Sequence, residues 1–507
     1  MKNKTILIGL DGATWKNIMP WIEQDKLPFF KKIIDEGVYG INNTTIPCLT
    51  APAIPSFYTG KSPAKHGIFG FTRPDGNLIN FNYIKKYNPF WNYLSENRFN
   101  SLITNLRTTY PPEIENGILV SGILSPSNKS EFVYPKEYKK NFKKFHKDIS
   151  ELYAGHFKNK EIKDWFIDYY KRKIKAIITF IKKKTFDFYL FYFGATDGVQ
   201  HFLYKDKKNL LEFYKRLDYD LENFLANFKG YNIIIFSDHG FDVHPTKTFH
   251  LNSWLYYKGY LKVRGGRLGR IFWGNIQRFA EKKISNEFIE KVMRLVISKK
   301  KKENDEEQIL FSATSNVPGI NWKKTKAYLS QAFGVSIKKK NVRDYEKFRI
   351  KLIEEMKKIK DEGGNRVFKR VYKKEEIYPF GKYFKQIPDI VFLLNPEYRM
   401  RISLIKQLIG KLDKKDCKKW QGAHNFSREG IFIAYGPDIK KGKKIGSINI
   451  YDIAPTVLHM YGVSIPEDYD GRVLKEIFKK KSKFTKRRIL YHKNKEIKKN
   501  IVNQINI

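Results

Sequence analysis

Tyr231-Asn232-Ile233-Ile234-Ile235-Phe236-Ser237-Asp238-His239-Gly240 joins an apolar run to a carboxylate, an imidazole and a glycine. Three β-branched isoleucines in succession fit a strand covered on both faces, as strands of parallel sheets in α/β proteins are. Ser-Asp-His-Gly then stands at the carboxyl end of that strand, where open α/β sheets gather their ligands. Asp and His supply oxygen and nitrogen donors that suit zinc, manganese or iron. Many strands end in such a pair, so the pattern gains meaning only where the chain repeats it.

Outward from this run the chain alternates. Thr5 to Leu10, Ser101 to Thr104, Gly117 to Val120 and Phe186 to Phe193 read as further strands. Leu27 to Glu36, Trp165 to Lys182 and Leu210 to Phe228 carry helical patterns between them. Such alternation predicts an α/β fold: a doubly wound, mainly parallel sheet flanked by helices. From about Leu261 the pattern changes. Gly265-Gly266 opens a basic amphipathic stretch, with a helical pattern over Phe279 to Ser298 and a charge run over Lys299 to Glu307. A helical insertion or cap is expected there. The core resumes near Trp322 to Val335 and continues through strands at Asp389 to Leu394 and Gly430 to Tyr435. A helix over Tyr451 to Tyr461, followed by Ile465-Pro466, closes it. The expected organisation is a core in two parts, 1–260 and 317–474, interrupted by the insertion 261–316. A basic C-terminal tail, 475–507, follows, with twelve Lys and Arg against two Glu. It reads as a surface helix, a disordered end or an anion-binding arm.

Composition bounds the function. With 507 residues, 41% of them hydrophobic and 15% aromatic, the chain is globular and long enough for two to four units of about 150 residues. Its two cysteines, Cys48 and Cys417, exclude a disulfide scaffold and a cysteine-rich zinc module, so any metal must be held by Asp and His. No run of about 18 apolar residues occurs, and no transmembrane segment is expected. The apolar part of the N-terminus is too short for a signal peptide and lacks a small-residue cleavage site. It reads as a first strand ending in Asp11, and a cytoplasmic location is expected. The net charge of +45 would attract nucleic acid, an anionic membrane surface or a phosphorylated substrate. The excess is mostly lysine and is spread along the whole chain, which favours a compositional origin.

The other strand ends carry the same residue types. Asp11-Gly12 closes the first strand; taken alone it reads as a turn. Thr50 lies in Ile46-Pro47-Cys48-Leu49-Thr50-Ala51-Pro52, where Pro52 marks the first turn of a helix. A helix N-terminus favours an anion, and a hydroxyl there is either a metal-activated nucleophile or a plain cap. Asp197 and His201 follow the strand Phe186 to Phe193 at i, i+4, which turns both side chains to one side of a helix. His424 lies in the polar loop Gln421-Gly422-Ala423-His424-Asn425, where nothing local separates a ligand from a solvated side chain. His66, His244, His250 and His459 lack a carboxylate at ligand spacing and read as structural. His146, His156 and His492 sit in basic, surface-like stretches.

In this order the motifs resemble the alkaline phosphatase superfamily and, within it, the archaeal and bacterial branch of the type I phosphodiesterase/nucleotide pyrophosphatase family. The resemblance runs through Ile8-Gly9-Leu10-Asp11-Gly12 and Thr50-Ala51-Pro52 to Thr59-Gly60-Lys61-Ser62-Pro63 and His66-Gly67-Ile68. It continues through Thr109-Tyr110-Pro111-Pro112 with Gly117, Ser121-Gly122 and Pro126, then Asp197 to His201, Ser237 to Gly240 and Gly422 to His424. Asp452-Ile453-Ala454-Pro455-Thr456, Pro466 and Asp470-Gly471 resemble the closing helix and turn. What the resemblance implies is an alkaline-phosphatase-like fold and a site for two divalent metals. Asp11, Thr50, Asp238 and His239 would hold one metal, and Asp197, His201 and His424 the other. Thr50 would be the nucleophile, forming a covalent phosphothreonine. Zinc suits the donors best, with manganese or iron as alternatives.

The departures narrow this reading. Phe71 stands where the nucleotide pyrophosphatases use an asparagine to help hold phosphate. The sulfatase signature of Cys, Pro and Arg at two-residue intervals is absent, since Cys48 is followed by Thr50. A threonine nucleophile also differs from the serine of the phosphoglycerate mutase branch. The expected activity is therefore a metal-dependent phosphoric-ester hydrolase, a phosphodiesterase on a small phosphoester. A phosphotransferase or phosphomonoesterase using the same site is the alternative, and a non-enzymatic polyanion-binding protein is the second.

Overall fold

The computed structural model describes residues 4–71, 79–122, 130–143, 145, 157–266, 319–412, 420–424 and 426–493. Most of the expected insertion, the whole of 267–318, lies outside the described residues, as do His146, His156, Cys417 and the end of the tail from 494.

The main sheet has ten strands. In chain order they include β1 (Thr5–Leu10), β2 (Val38–Asn43), β3 (Ser101–Leu106), β4 (Gly117–Ser121), β5 (Val133–Tyr134), β6 (Phe188–Phe193), β7 (Asn232–Phe236) and β8 (Glu429–Tyr435). Two short strands, Lys443–Lys444 and Ile448–Asn449, both pair with β2. Across the sheet the order is β2, β8, β7, β1, β6, β3, β4, β5. The five central strands from β7 to β4 are mutually parallel, while β8 runs antiparallel to both β7 and β2, and β5 antiparallel to β4.

Helices cover both faces because the strands bury alternate side chains to opposite sides. Ile6, Ile8, Phe191, Ile233 and Ile235 join one cluster with α1 (Trp15–Glu23), α2 (Pro28–Asp35), α5 (Asn159–Ile181), α6 (Ala195–Leu203) and α7 (Lys207–Leu225). Leu7, Leu190, Ile234 and Phe236 join the other with α3 (Thr50–Thr59), α4 (Phe90–Glu96) and α8 (Ile453–Tyr461). The doubly wound α/β sheet is thus present. Helix α5 starts six residues before the expected Trp165, where Glu161 bonds back to the Lys158 amide at 2.7 Å and closes the N-terminus.

A second, four-stranded antiparallel sheet is built from Ala327–Gln331, Gly334–Ile337, Ile390–Leu394 and Phe368–Lys373. It carries the strand expected at Asp389 to Leu394. One of its faces packs Phe333, Val391 and Leu393 against Ile46 and Cys48, directly ahead of Thr50. The described part of the basic tail is packed rather than free. Phe478 and Phe484 are buried, Tyr491–His492 pairs with Ile465–Pro466, and Arg487 bonds the carbonyls of His459 and Met460 at 2.6 and 2.8 Å. That guanidinium sits at the negative end of α8. Among the described residues no helix is long and apolar enough to cross a membrane.

Phe57 joins α3 to the strand that delivers Asp238: its ring stacks on Phe236 at 4.5 Å and meets Phe90 edge-on at 5.8 Å. Phe57→Ala is expected to cost about 3–5 kcal/mol. Urea unfolding should show this as a lower midpoint at unchanged slope.

Candidate active site

Four neighbouring parallel strands end along one edge of the sheet, and each leaves a charged residue there. Asp11 follows β1, Asp238 and His239 follow β7, Asp197 follows β6 at the start of α6, and Arg107 follows β3. Asp11, Asp238 and His239 form one cluster whose donor atoms lie within 4.8 Å of one another, and Asp197, His201 and His424 form a second of the same compactness. The clusters abut: the rings of His239 and His424 stack at 3.9 Å, and His424 and His201 lie 5.2 Å apart.

The first cluster is fully buried. His239 points Nε2 at Asp11 Oδ1 and Asp238 Oδ2, 3.5 and 3.4 Å away, and donates Nδ1–H to the Gly240 carbonyl at 3.0 Å. Thr50 joins this cluster, its Oγ1 being 3.2 Å from His239 Nε2. Thr50 is not the cap of α3. Leu49 occupies the N-cap with extended backbone and no side-chain bond, which frees the threonine hydroxyl for the cluster. Gly12 lies between the two clusters at φ +65°, where an added Cβ would meet Asp197 Oδ1 and the His239 ring, both at 3.3 Å. Its amide donates to Asp238 Oδ1 at 3.2 Å.

The second cluster is more open, with the side chains of Asp197, His424 and His201 exposed by 10, 12 and 23%. Asp197 Oδ1 lies 3.5 Å from His201 Nε2 and 3.7 Å from His424 Nε2. The i, i+4 spacing on α6 brings the first pair together as the sequence suggested. His424 is placed by a backbone device. The two-residue strand Gly422–Ala423 pairs with Asp242–Val243, just beyond His239, and so fastens the loop of one cluster to that of the other. His201 Nδ1 donates to the Gly422 carbonyl at 3.0 Å, and His424 Nδ1 to the Cys48 carbonyl at 3.1 Å.

All three imidazoles therefore spend Nδ1–H on a backbone carbonyl and turn Nε2 toward carboxylates. That fixes the tautomer a metal ligand needs. Meanwhile Oδ1 of Asp11, Oδ1 of Asp197 and Oδ2 of Asp238 are buried without a hydrogen-bond donor, and Asp11 Oδ2 faces the Arg107 guanidinium. Orphaned carboxylate oxygens facing imidazole lone pairs are what divalent cations satisfy, and the donors fit two such ions.

Electrostatics point the same way. Burial pushes Asp11 well above the usual carboxylate range, and the carboxylates of Asp238 and Asp197 add to this against the pull of Arg107. Burial acts in the same sense on Asp197, but His201, His424 and Arg107 outweigh it and hold the group below the usual range. His201 is raised because Asp197 outweighs its burial. His424 is pushed well below the ordinary histidine value by burial and by His239.

All seven residues singled out in the sequence thus converge. Arg107 was missed. Its Nη2 lies 2.6 Å from Asp11 Oδ2 and 3.7 Å from Asp197 Oδ2. Its only sequence signal is a cation at a strand end, two residues ahead of Thr109-Tyr110-Pro111-Pro112. Phe71 is half-buried, its carbonyl accepting from the Ile79 amide at 3.0 Å. Three of the histidines read as structural are tied into the fold: His66 Nε2 meets Ser56 Oγ at 2.8 Å, His250 Nδ1 meets Ser403 Oγ at 3.0 Å, and His459 Nε2 donates to the Phe484 carbonyl at 2.7 Å.

Sheet and site together define a phosphodiesterase-type hydrolase of the alkaline phosphatase superfamily. The chain belongs to the type I phosphodiesterase / nucleotide pyrophosphatase family, whose profile it matches over residues 5–423. Human ectonucleotide pyrophosphatase / phosphodiesterase 5 shares the fold at 14% identity and a TM-score of 0.50, over 92% of this chain and 97% of the human one. The murine protein of the same name is similar at 14% identity, 91% of this chain and 96% of the murine one. Its TM-score is 0.48 as an inactive variant in complex with AMP and 0.47 in a second structure. Compared with curated protein sequences, the chain finds no significant match.

His201 holds its proton more tightly than a free histidine does, so a proton competes with a cation at the second cluster up to a higher pH than usual and metal affinity falls as pH drops. Calorimetric zinc titrations at pH 8, 7 and 6 should show progressively weaker binding. His201→Ala should leave one strong site per chain with a shallower pH dependence. An affinity independent of pH would refute this account.

Proposed function

We propose that the chain is a two-metal phosphodiesterase in which Thr50 is the nucleophile. The observation that carries this is the position of Thr50 Oγ1. It stands 3.2 Å from His239 Nε2 at the first residue of α3, a hydroxyl relieved of capping and aimed at two adjoining clusters of metal-type donors. Asp11, Thr50, Asp238 and His239 would hold one cation and Asp197, His201 and His424 the other. Zinc suits this nitrogen and oxygen set, with manganese or iron as alternatives. Bound there, the cations supply Lewis acidity that lowers the pKa of the attacking hydroxyl and steadies charge on the departing oxygen.

The chain's own residues account for the rest. Thr50 Oγ1 gives up its proton to solvent and forms a new bond to phosphorus. One ester oxygen leaves with its electron pair and takes up a proton from solvent, and a phosphothreonine still esterified to the second group remains. A water then attacks the same phosphorus and loses a proton to solvent, and Thr50 Oγ1 departs, is reprotonated and releases the phosphomonoester. The first turn of α3 favours the anion on its N-terminal amides. His201 and His424 keep their orientation through the Gly422 and Cys48 carbonyls, so the second cluster does not have to reorganise during either step. The +45 charge draws a small anionic phosphoester toward the site.

Thr50→Ala should lower turnover of bis(p-nitrophenyl) phosphate by about a thousandfold or more while zinc remains bound. Metal content measured beside the rate checks this, and acid quenching of the wild type should trap a p-nitrophenyl phosphate ester on residue 50. Full activity in the variant would remove Thr50 as nucleophile. A panel of mono- and diesters separates phosphodiesterase from phosphomonoesterase.

A further inference from the structure

Arg107 lies inside the site, yet the two-metal reading gives it no part. Its guanidinium reaches across the junction of the clusters, 2.6 Å from Asp11 Oδ2 in the first and 3.7 Å from Asp197 Oδ2 in the second. Its side chain is 14% exposed, about as much as that of His424 at 12%. The chain makes room for it: a Cβ on Gly194 would come within 3.1 Å of Arg107 Nη2.

The backbone that presents Arg107 is strained. Asn105 and Thr108 flank it at φ +61° and +62°, the left-handed region that costs a non-glycine residue about 1 kcal/mol or more. The strain is held by buried polar contacts. Asn105 Nδ2 donates to the Tyr192 carbonyl at 2.6 Å, and Asn105 Oδ1 accepts from the buried Lys173 Nζ at 2.7 Å. Lys173 also donates to the Tyr169 hydroxyl at 2.8 Å. Asn105 fixed by a buried lysine on one side, and Thr108 donating its hydroxyl to the Arg107 carbonyl at 2.6 Å on the other, make a device for aiming one side chain.

Charge decides what it is aimed at. Without cations, Arg107 offsets part of the negative charge of Asp11, Asp197 and Asp238. Once two divalent cations sit on those carboxylates, that duty lapses. Three carboxylates, an ionised Thr50 oxygen and two divalent cations cancel, and the guanidinium then leaves the filled site with a single positive charge. A phosphodiester carries a single negative charge. A planar guanidinium grips two phosphoryl oxygens at once, which an ammonium does not.

We infer that Arg107 is a substrate-binding residue: in the metal-loaded protein its guanidinium turns from Asp11 and Asp197 to the non-bridging oxygens of a phosphodiester monoanion. Asn105, Thr108 and Lys173 are positioning residues for it. The inference rests on the two-metal reading of the site.

Zinc-loaded wild type, Arg107→Ala and Arg107→Lys test it, through zinc content, calorimetric affinity for inorganic phosphate, and kcat and KM for bis(p-nitrophenyl) phosphate. Two zinc ions per chain are expected in all three. Phosphate should bind about ten- to a hundredfold more weakly to Arg107→Ala, with the loss in turnover falling largely on KM. Arg107→Lys should recover part of the affinity but not all. Phosphate binding at wild-type strength in Arg107→Ala overturns the inference. So does loss of zinc from that variant, which would make Arg107 a support of the metal site. Should Arg107→Ala not fold, Arg107→Lys decides alone, and wild-type phosphate affinity there overturns the inference. A wild type that itself fails to hold two zinc ions overturns the two-metal reading and this inference with it; a sound wild type matched by its variants overturns only the inference.

Discussion

Three carboxylates buried within a few ångströms of one another are the constraint on which this structure turns. Asp11 and Asp238 are shut off from water and Asp197 nearly so. An uncompensated buried carboxylate is among the most expensive groups a fold can contain, and here three of the six oxygens find no hydrogen-bond donor. Arg107 supplies one positive charge against three negative ones. Such an arrangement persists only because a large, well-packed sheet fixes the strand ends that carry it, and its remaining charge is a standing demand for cations.

The order of the parallel strands creates the demand. With β7, β1, β6 and β3 side by side, their carboxyl ends bring Asp238, Asp11, Asp197 and Arg107 to consecutive places on one edge. Loops then complete what strands cannot. Gly422–Ala423 laces the His424 loop to the loop after His239, and the Cys48 carbonyl ties His424 to the segment that leads into Thr50. Behind that segment stands the second sheet, with Val391 and Leu393 against Ile46 and Cys48. Packing more than 300 residues downstream of Thr50 in sequence thus steadies the segment that presents it.

The sequence revealed this site unevenly. The strands that bear ligands were legible because buried parallel strands are nearly continuous apolar runs, and their ends follow at once: Asp238 after Phe236, Asp11 after Leu10. Asp197 and His201 were legible because helical spacing is local. His424 had no local signal. What places it is a two-residue ladder to Asp242–Val243, a contact across some 180 residues that no periodicity records. Thr50 was ambiguous for a physical reason, since caps and nucleophiles both favour a hydroxyl at a helix N-terminus; the extended backbone of Leu49 resolves which residue caps. Arg107 was invisible because an arginine at a strand end is ordinary, and its meaning lies in a left-handed backbone and a buried lysine that only the fold brings to it. The second sheet escaped notice because short antiparallel strands leave weaker patterns than buried parallel ones.

Exposure grades across the site in one direction. Asp11, Asp238 and His239 are closed to solvent, Asp197, His424 and Arg107 are slightly open, and His201 is the most accessible at 23%. A phosphoryl group entering the edge meets the second cluster and Arg107 before it reaches Thr50. In the proposed reaction, in-line attack from Thr50 on the closed side would send the leaving group toward the open one. The buried half of the site then needs to accommodate only phosphorus and its oxygens, while whatever the phosphate is attached to stays at the rim. Chemistry and substrate identity are therefore written in different places. The reaction is set by buried strand ends whose residue types allow few alternatives, whereas the esterified group is met by loops that the chemistry leaves free to vary.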